Sequence, residues 1–249
     1  MSSPDPCTDA EGLPLCEVLD WDSKFFNRAV AKVSRSSLTL ADAKRVRNWA
    51  TAHDIQTVYF LVRLDDLPSA WAAESAGFRL VDVRLTYEHK SPRAFEDLRV
   101  RAARPDDQAD LEVIASKSFS FTRFARDSAF GPDNAARLYR EWLRKSLSGW
   151  AQRTLVAESQ GRPAGFATCH VTSSHGSIGL IAVDEHERGK GIGPALVLSA
   201  NSWLRDSGAL SITVVTQGAN LPAQRVYQAT GFGTKSVEIW FHLTLGQDA

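Results

Sequence analysis

The sequence predicts an α+β fold, a mixed and mostly antiparallel sheet flanked by helices, in which a shorter unit precedes a longer one. Three observations lead there. Hydrophobic residues make up 43% of the chain and charged residues 23%, the proportions of an ordinary globular protein. Short apolar runs alternate with stripes of helical period. The punctuation also repeats: Leu67-Pro68 returns as Leu221-Pro222, and Gly77-Phe78 as Gly231-Phe232, at one constant offset with strand, helix and strand around both. Because β-α-β units commonly share such punctuation, duplication and coincidence both stand at this point.

The chain has 249 residues, enough for one large domain or two small ones. Lys and Arg number 29, and so do Asp and Glu, so no basic excess points to nucleic acid or to an anionic membrane. Cys7, Cys16 and Cys169 are odd in number and scattered. They make neither a disulfide framework nor a CxxC metal site, which fits a reducing compartment. The N-terminal MSSPDPCTDAEGL lacks the basic start and apolar run of a signal peptide, and no stretch nears the roughly 20 apolar residues of a membrane span. His170 and His175 fall on opposite faces of one strand region, and no metal site is expected. These features predict a cytoplasmic protein with no metal, nucleic-acid or membrane partner.

Residues 1–14 read as a flexible tail, and 15–91 as the first unit. That unit is extended near 29–34. Thr39, followed three residues later by Asp42, then opens a helix with Leu40, Ala43, Val46, Trp49 and Ala50 on one stripe. TVYFLV at 57–62 is a continuous apolar run, the pattern of a central strand buried on both faces. A helix near 67–76 and a strand from Arg79 follow. SPRAFEDL at 91–98, polar and carrying Pro92, reads as a linker. The second unit, 98–249, begins with a strand at 98–103, a helix at 106–117 and an irregular stretch at 118–131. Pro132 opens a helix to 148 with Ala135, Leu138, Tyr139, Trp142, Leu143 and Leu147 on its stripe. Strands at 153–158, 163–173 and 176–184 come next, the first pair turning at Gln160-Gly161. The chain closes with a helix at 191–206, a strand at 210–216, a helix at 220–230 and a strand at 234–244.

The chemistry-bearing segment is GLIAVDEHERGKGIGPALV, where an apolar strand runs through Arg188-Gly189-Lys190-Gly191-Ile192-Gly193 into an amphipathic helix. Glycines let the backbone turn sharply and approach a ligand closely. Unpaired N–H groups and the helix dipole at the helix start favour an anion, and Arg188 and Lys190 add positive charge. The segment has the character of a pyrophosphate cradle. It is not a P-loop, since Lys190 precedes Gly191 and no Ser or Thr follows it. It is not a dinucleotide fingerprint either, since Pro194 or Leu196 stands where the third glycine belongs.

Arg188, Gly191 and Gly193 match R-x-x-G-x-G, and the segment resembles the coenzyme A loop of the GNAT acetyltransferases. One strand later come Asn220, Tyr227, Gly231 and Phe232, similar in kind and spacing to the set that follows the loop in that family. The element order from 98 to 244 resembles the GNAT fold, with a truncated GNAT-like unit before it. WDSKFF at 21–26 and SKSFSFTRFARDSAF at 116–130 resemble segments of the dTDP-fucosamine acetyltransferase branch, whose acceptor is a dTDP-linked 4-amino-4,6-dideoxy sugar. The long DEHERGKGIG loop departs from that branch, which can carry a shortened one.

The resemblance implies a set of roles. Ile181, Ala182 and Val183 would run beside the pantetheine arm of acetyl-CoA, with an N–H of Ile181 or Val183 polarising the thioester carbonyl. Arg188, Gly189, Lys190, Gly191, Ile192 and Gly193 would hold the pyrophosphate. Asn220 suits the pantetheine amides, and equally a plain helix N-cap. Tyr227 would be the acid that protonates the leaving sulfur; read without the resemblance, it is a packing residue. The base is open among His170, Glu158, Asp184 and Glu185. Cys169 raises an acetyl-cysteine route, but no base is identifiable beside it, and direct transfer is favoured. Arg123, Phe124 and Phe130, among the aromatics and arginines of 118–131, suit a nucleotide sugar by stacking and phosphate pairing, or else pin a loop to the core.

The function expected is N-acetyl transfer from acetyl-CoA to a dTDP-linked amino sugar. Two alternatives stand beside it: another small-molecule amine, an aminoglycoside or a protein N-terminus as acceptor, and a non-catalytic acetyl-CoA-binding module. A homodimer is expected by resemblance alone.

Overall fold

A computed structural model describes residues 5–246. In chain order the elements begin with β1 (Cys16–Val18), α1 (Asp20–Phe26), β2 (Val30–Val33), α2 (Leu40–Ala52), β3 (Thr57–Arg63), α3 (Leu67–Ser75), β4 (Arg79–His89) and β5 (Val100–Ala102). A 3-10 turn, Pro105–Asp107, leads into α4 (Gln108–Ser118), followed by α5 (Arg123–Arg126) and α6 (Gly131–Lys145). The rest are β6 (Arg153–Ser159), β7 (Arg162–Thr172), β8 (His175–Val183), α7 (Ile192–Asp206), β9 (Ser211–Gln217), α8 (Leu221–Ala229) and β10 (Gly233–Thr244). Two short helices were not expected from the sequence. α1 and α5 are too brief to show a periodic stripe, and α1 stops at Asn27, which takes the left-handed conformation (φ 49°).

The chain forms two compact units. One holds the described residues through Arg84, Asp127–Phe130, and those from Val237 onward; the other holds Leu85–Arg126 and Gly131–Ser236. The sequence reading put the passage between units at 91–98. In the structure it falls inside β4, and the chain crosses back inside β10. A polar, proline-bearing segment marks exposed chain, which is not the same as a gap in contacts. Phe95 N–H in fact donates to Ser202 Oγ at 3.1 Å, within the second unit. Of residues 1–14, read as a flexible tail, 1–4 lie outside the described residues and 5–14 pack on the first unit. Leu15 N–H donates to the Cys7 carbonyl at 2.7 Å, and Cys7 is buried.

In the first unit β1 and β2 are antiparallel, β2 and β3 parallel, and β3 and β10 antiparallel, with Phe241 opposite Phe60. Val58, Phe60 and Val62 of β3 are buried, as the TVYFLV run predicts for a central strand. They pack with Ala43, Val46 and Ala50 of α2 and with Phe78, Ile239 and Phe241. In the second unit the neighbours run β4, β9, β8, β7, β6, β5. The pairs from β5 to β8 are antiparallel, and β8 runs parallel to β9. α7 and α8 share a core with Ile178, Ile212, Val214, Tyr87 and Phe232. α4 and α6 share another with Val156, Phe166, Leu180 and Ala182. The mixed, mostly antiparallel sheet with flanking helices is the α+β architecture read from the sequence.

The repeat is visible in three dimensions. β2-α2-β3-α3 corresponds to β8-α7-β9-α8, and both open with a parallel strand pair. α3 is capped by Asp66 (φ −92°, ψ 69°), whose carboxylate accepts from Ser69 N–H at 3.2 Å. α8 is capped by Asn220 (φ −87°, ψ 65°), whose amide oxygen accepts from Ala223 N–H at 3.3 Å. Each cap is followed by Leu-Pro, which explains the shared punctuation.

Candidate active site

Within the second unit, β8 and β9 pair only from His175↔Ser211 to Ile178↔Val214. Both strands continue, β8 to Val183 and β9 to Gln217, without pairing further. Two parallel strands that splay leave the backbone N–H and C=O groups of 179–183 open on the β9 side, and such groups need a partner. The splay coincides with a register shift on the other edge: Cys169 pairs Ile178, but Ala167 pairs Ile181. The one extra residue of β8 at that point bends it, and Leu180 N–H turns to the Thr168 hydroxyl at 2.8 Å. Ile181 and Val183 are half-buried toward α7, and Ala182 is buried toward α4 and α6.

β8 leads through Asp184, whose carboxylate accepts from His186 N–H at 2.8 Å, into the exposed loop Arg188–Gly191. Gly189 (φ 78°) and Gly191 (φ 80°) occupy the left-handed region, where a side chain would strain the turn. Gly191 caps α7 with no side chain on its N–H groups, so the helix start is open to an anion. A Cβ at Gly193 would lie 3.8 Å from Val226 and 3.9 Å from Val183, so α7 approaches both α8 and β8 closely here. Ile192 is buried. Lys190 pairs with Glu187 at 2.9 Å. A further cation, Arg99, reaches the loop and donates to the Lys190 carbonyl at 3.2 Å. The sequence does not point to Arg99 because it lies just before β5, far from the loop along the chain; only folding joins them. These donors and cations fit a diphosphate, and the open β8 edge fits an amide-bearing arm.

Tyr227 lies on α8, 2% exposed, its ring 5.7 Å from Tyr87 and 6.0 Å from Phe232. Burial first, and Tyr87 second, raise its pKa well above the ordinary phenol value, so it holds its proton across the working range. Cys169 is fully buried, and burial pushes its thiol up to about 12, which disfavours a thiolate nucleophile. Of the candidate bases, Glu158 is bound by Arg101 Nε at 2.7 Å, Asp184 caps its own turn, and Glu185 is exposed. His170 is half-buried.

Arg123 is half-buried, with its guanidinium 4.0 Å from the Phe124 ring centroid. Phe124 is buried against Trp142, ring centroids 6.3 Å apart. Phe130 belongs to the first unit, buried 4.6 Å from Phe26 and near Tyr59 and His242. Its segment is tied there by Asp127, which hydrogen-bonds His242 Nδ1 at 2.5 Å, and by Arg28, which donates to the Ala129 carbonyl at 2.5 Å. Among the described residues no three His, Cys, Asp or Glu side chains converge as metal ligands, and no helix is long and apolar enough to cross a membrane.

Residues 117–232 match the model of the acetyltransferase (GNAT) family. That stretch therefore carries a GNAT acetyltransferase domain, and N-acetyltransferase is its enzyme class. The chain is 26% identical over 236 residues to the dTDP-fucosamine acetyltransferase of Escherichia coli O6:H1, covering 91% of this chain and 96% of that one. It is 28% identical to the mycothiol acetyltransferase of Thermobispora bispora over 71% of this chain, spanning 62% of that longer protein. In fold it resembles a GCN5-related N-acetyltransferase from Sphaerobacter thermophilus, with a TM-score of 0.66, 16% identity, and coverage of 96% and 80% of the two chains.

Proposed function

We propose that the protein transfers an acetyl group from acetyl-CoA directly to the amine of a nucleotide-linked 4-amino-4,6-dideoxy sugar. The observation that carries the reading is the β8/β9 splay opening beside the glycine-rich start of α7. The near full-length similarity to a dTDP-fucosamine acetyltransferase supports the acceptor class.

In this reading the pantetheine arm completes the open edge of β8 at 179–183, and the N–H groups and cations of 188–193 hold the pyrophosphate. Asn220 spends its amide oxygen on the Ala223 N–H, which leaves its NH2 for a pantetheine carbonyl. The acceptor amine attacks the thioester carbon. An N–H of Ile181 or Val183 stabilises the oxyanion, and the C–S bond then breaks as the Tyr227 hydroxyl protonates the sulfur. Arg123 supplies positive charge for the acceptor's diphosphate. Phe124 is buried against Trp142 in the second unit and Phe130 against Phe26 in the first, so both serve packing rather than stacking on a base.

A second acceptor class, the one served by mycothiol acetyltransferases, is favoured by the similarity to that group. Thiol release from acetyl-CoA separates the two. Saturable turnover with dTDP-4-amino-4,6-dideoxygalactose supports the first reading, and turnover only with a mycothiol-precursor amine supports the second.

A further inference from the structure

We infer that His170 is the general base of this reaction, its imidazole taking the proton from the attacking amine. The inference rests on the acetyl-transfer reading and supplies the step that it leaves open.

Gly179 is the first residue of β8 past its last pair with β9, so it sits where the splay begins. It is also one of the two β8 residues skipped by the register shift against β7. A Cβ built on Gly179 would stand 2.6 Å from His170 Nε2 and 2.9 Å from Cδ2. The imidazole therefore fills the space that a side chain at 179 would take, and its Nε2 edge lies over the strand at the start of the splay. Gly179 itself is exposed, so this edge is reachable. An ordinary residue at 179 would push the ring away, which gives this glycine a reason unrelated to backbone conformation.

The surroundings suit a base. The ring packs edge-on against Trp150, centroids 5.3 Å apart, and hydrogen-bonds the Trp150 backbone. A neutral imidazole carries one acceptor nitrogen. Its packing neighbours, Trp150 from the turn after α6, Thr168 from β7 and Gly179 from β8, do not titrate near neutrality. Burial lowers its pKa below 6.5, and the Trp150 backbone opposes this in part. The ring is neutral at pH 7 and able to accept a proton. The carboxylates nearest in sequence to the loop and strand ends are spent on Arg101 or on turns, or stand in solvent.

The step balances. The neutral amine nitrogen bonds to the carbonyl carbon and loses a proton to the acceptor nitrogen of His170. The C–S bond breaks, and the sulfur takes the Tyr227 proton. Imidazolium and phenolate then return to neutrality by proton exchange through water.

The test uses the full chain with acetyl-CoA and the acceptor that supports turnover. His170→Gln and His170→Ala should lower kcat about 100-fold, the usual scale for a lost base, with acetyl-CoA affinity unchanged. The acidic limb of the kcat/KM profile should disappear, and added imidazole should restore turnover to His170→Ala. Gly179→Ala, which displaces the ring, should lower kcat without removing any acid or base. Near-normal turnover in His170→Gln with the acidic limb intact would overturn the assignment, and so would lost turnover that imidazole does not restore while Gly179→Ala stays fully active. Absence of thiol release by the unsubstituted enzyme with every amine offered would instead overturn the acetyl-transfer reading itself, and this inference with it.

Discussion

Tyr227 and the Arg101–Asp107 pair show how burial sets what a single side chain does. Tyr227 sits at a position a packing residue would also take; what separates the readings is whether its hydroxyl serves the leaving sulfur. Tyr227→Phe keeps the ring and removes the proton. It should lower kcat about 100-fold while acetyl-CoA binding, followed by calorimetry, stays within a factor of a few. Arg101 is a structural counterpart. Its guanidinium holds Asp107 through two bonds of 2.7 and 2.8 Å and Glu158 through a third of 2.7 Å, and Asp107 is 6% exposed. The Arg101 hydrogen bonds hold the Asp107 carboxyl below its ordinary value of 3.8. A depressed folded-state pKa contributes stability that is present above pH 3.8 and lost as the pH falls through the lowered value. Arg101→Met, which strands a buried carboxylate, should cost about 3 kcal/mol in urea unfolding at pH 7. That deficit should shrink as the pH falls below 3.8, where Asp107 is protonated in the unfolded chain and progressively in the folded one.

Among the elements, the two helix caps form a natural control. Asp66 on α3 and Asn220 on α8 adopt matching backbone angles and make the same cap bond. Either residue replaced by Ala should cost about 1 kcal/mol in thermal or denaturant unfolding, the usual cost of a lost cap. Only Asn220→Ala should also raise KM for acetyl-CoA; equal, unaltered KM values would assign Asn220 to capping alone. The loop before α7 has its own test. Gly191→Ala strains a residue at φ 80° with no heavy atom nearer than Arg99 at 3.9 Å, so its effect is conformational and not steric. It should raise KM for acetyl-CoA by roughly tenfold, at a stability cost of only about 1 kcal/mol.

Across the whole molecule, what was legible in the sequence divides by range. Local signals served well. The Thr39 cap appears with its Oγ1 accepting from Asp42 N–H at 3.1 Å, and the stripes of α2 and α6 face their cores except at Leu40, which stands 44% exposed in the first turn of α2. The glycine loop stands between β8 and α7, where strand and helix periods predict it. The unread features join distant segments: Arg99 on the Lys190 carbonyl, His170 over Gly179, Asp127 on His242, and β10 paired with β3. No period or motif encodes a register shift or a splay, because both arise from how neighbouring strands pair. The division into units was hidden for the same reason. The last strand completes the first unit from Val237 onward, although the chain just before it belongs to the second. Phe241 of β10 is 1% exposed, stacked near Phe60 with centroids 6.4 Å apart. Phe241→Ala should cost about 3–5 kcal/mol and release hydrogen-exchange protection first in β2 and β3 of the first unit.

The proposed function requires the splayed β8 edge and the α7 loop to present acetyl-CoA to a sugar amine. It is tested most directly by thiol release from acetyl-CoA with dTDP-4-amino-4,6-dideoxygalactose, its 4-epimer, aminoglycosides and a peptide panel offered in parallel. Saturable release with the dTDP sugar, abolished in Tyr227→Phe without loss of acetyl-CoA binding, is the predicted result. Tight binding of acetyl-CoA with no release to any acceptor would contradict it and leave the fold as a binding module.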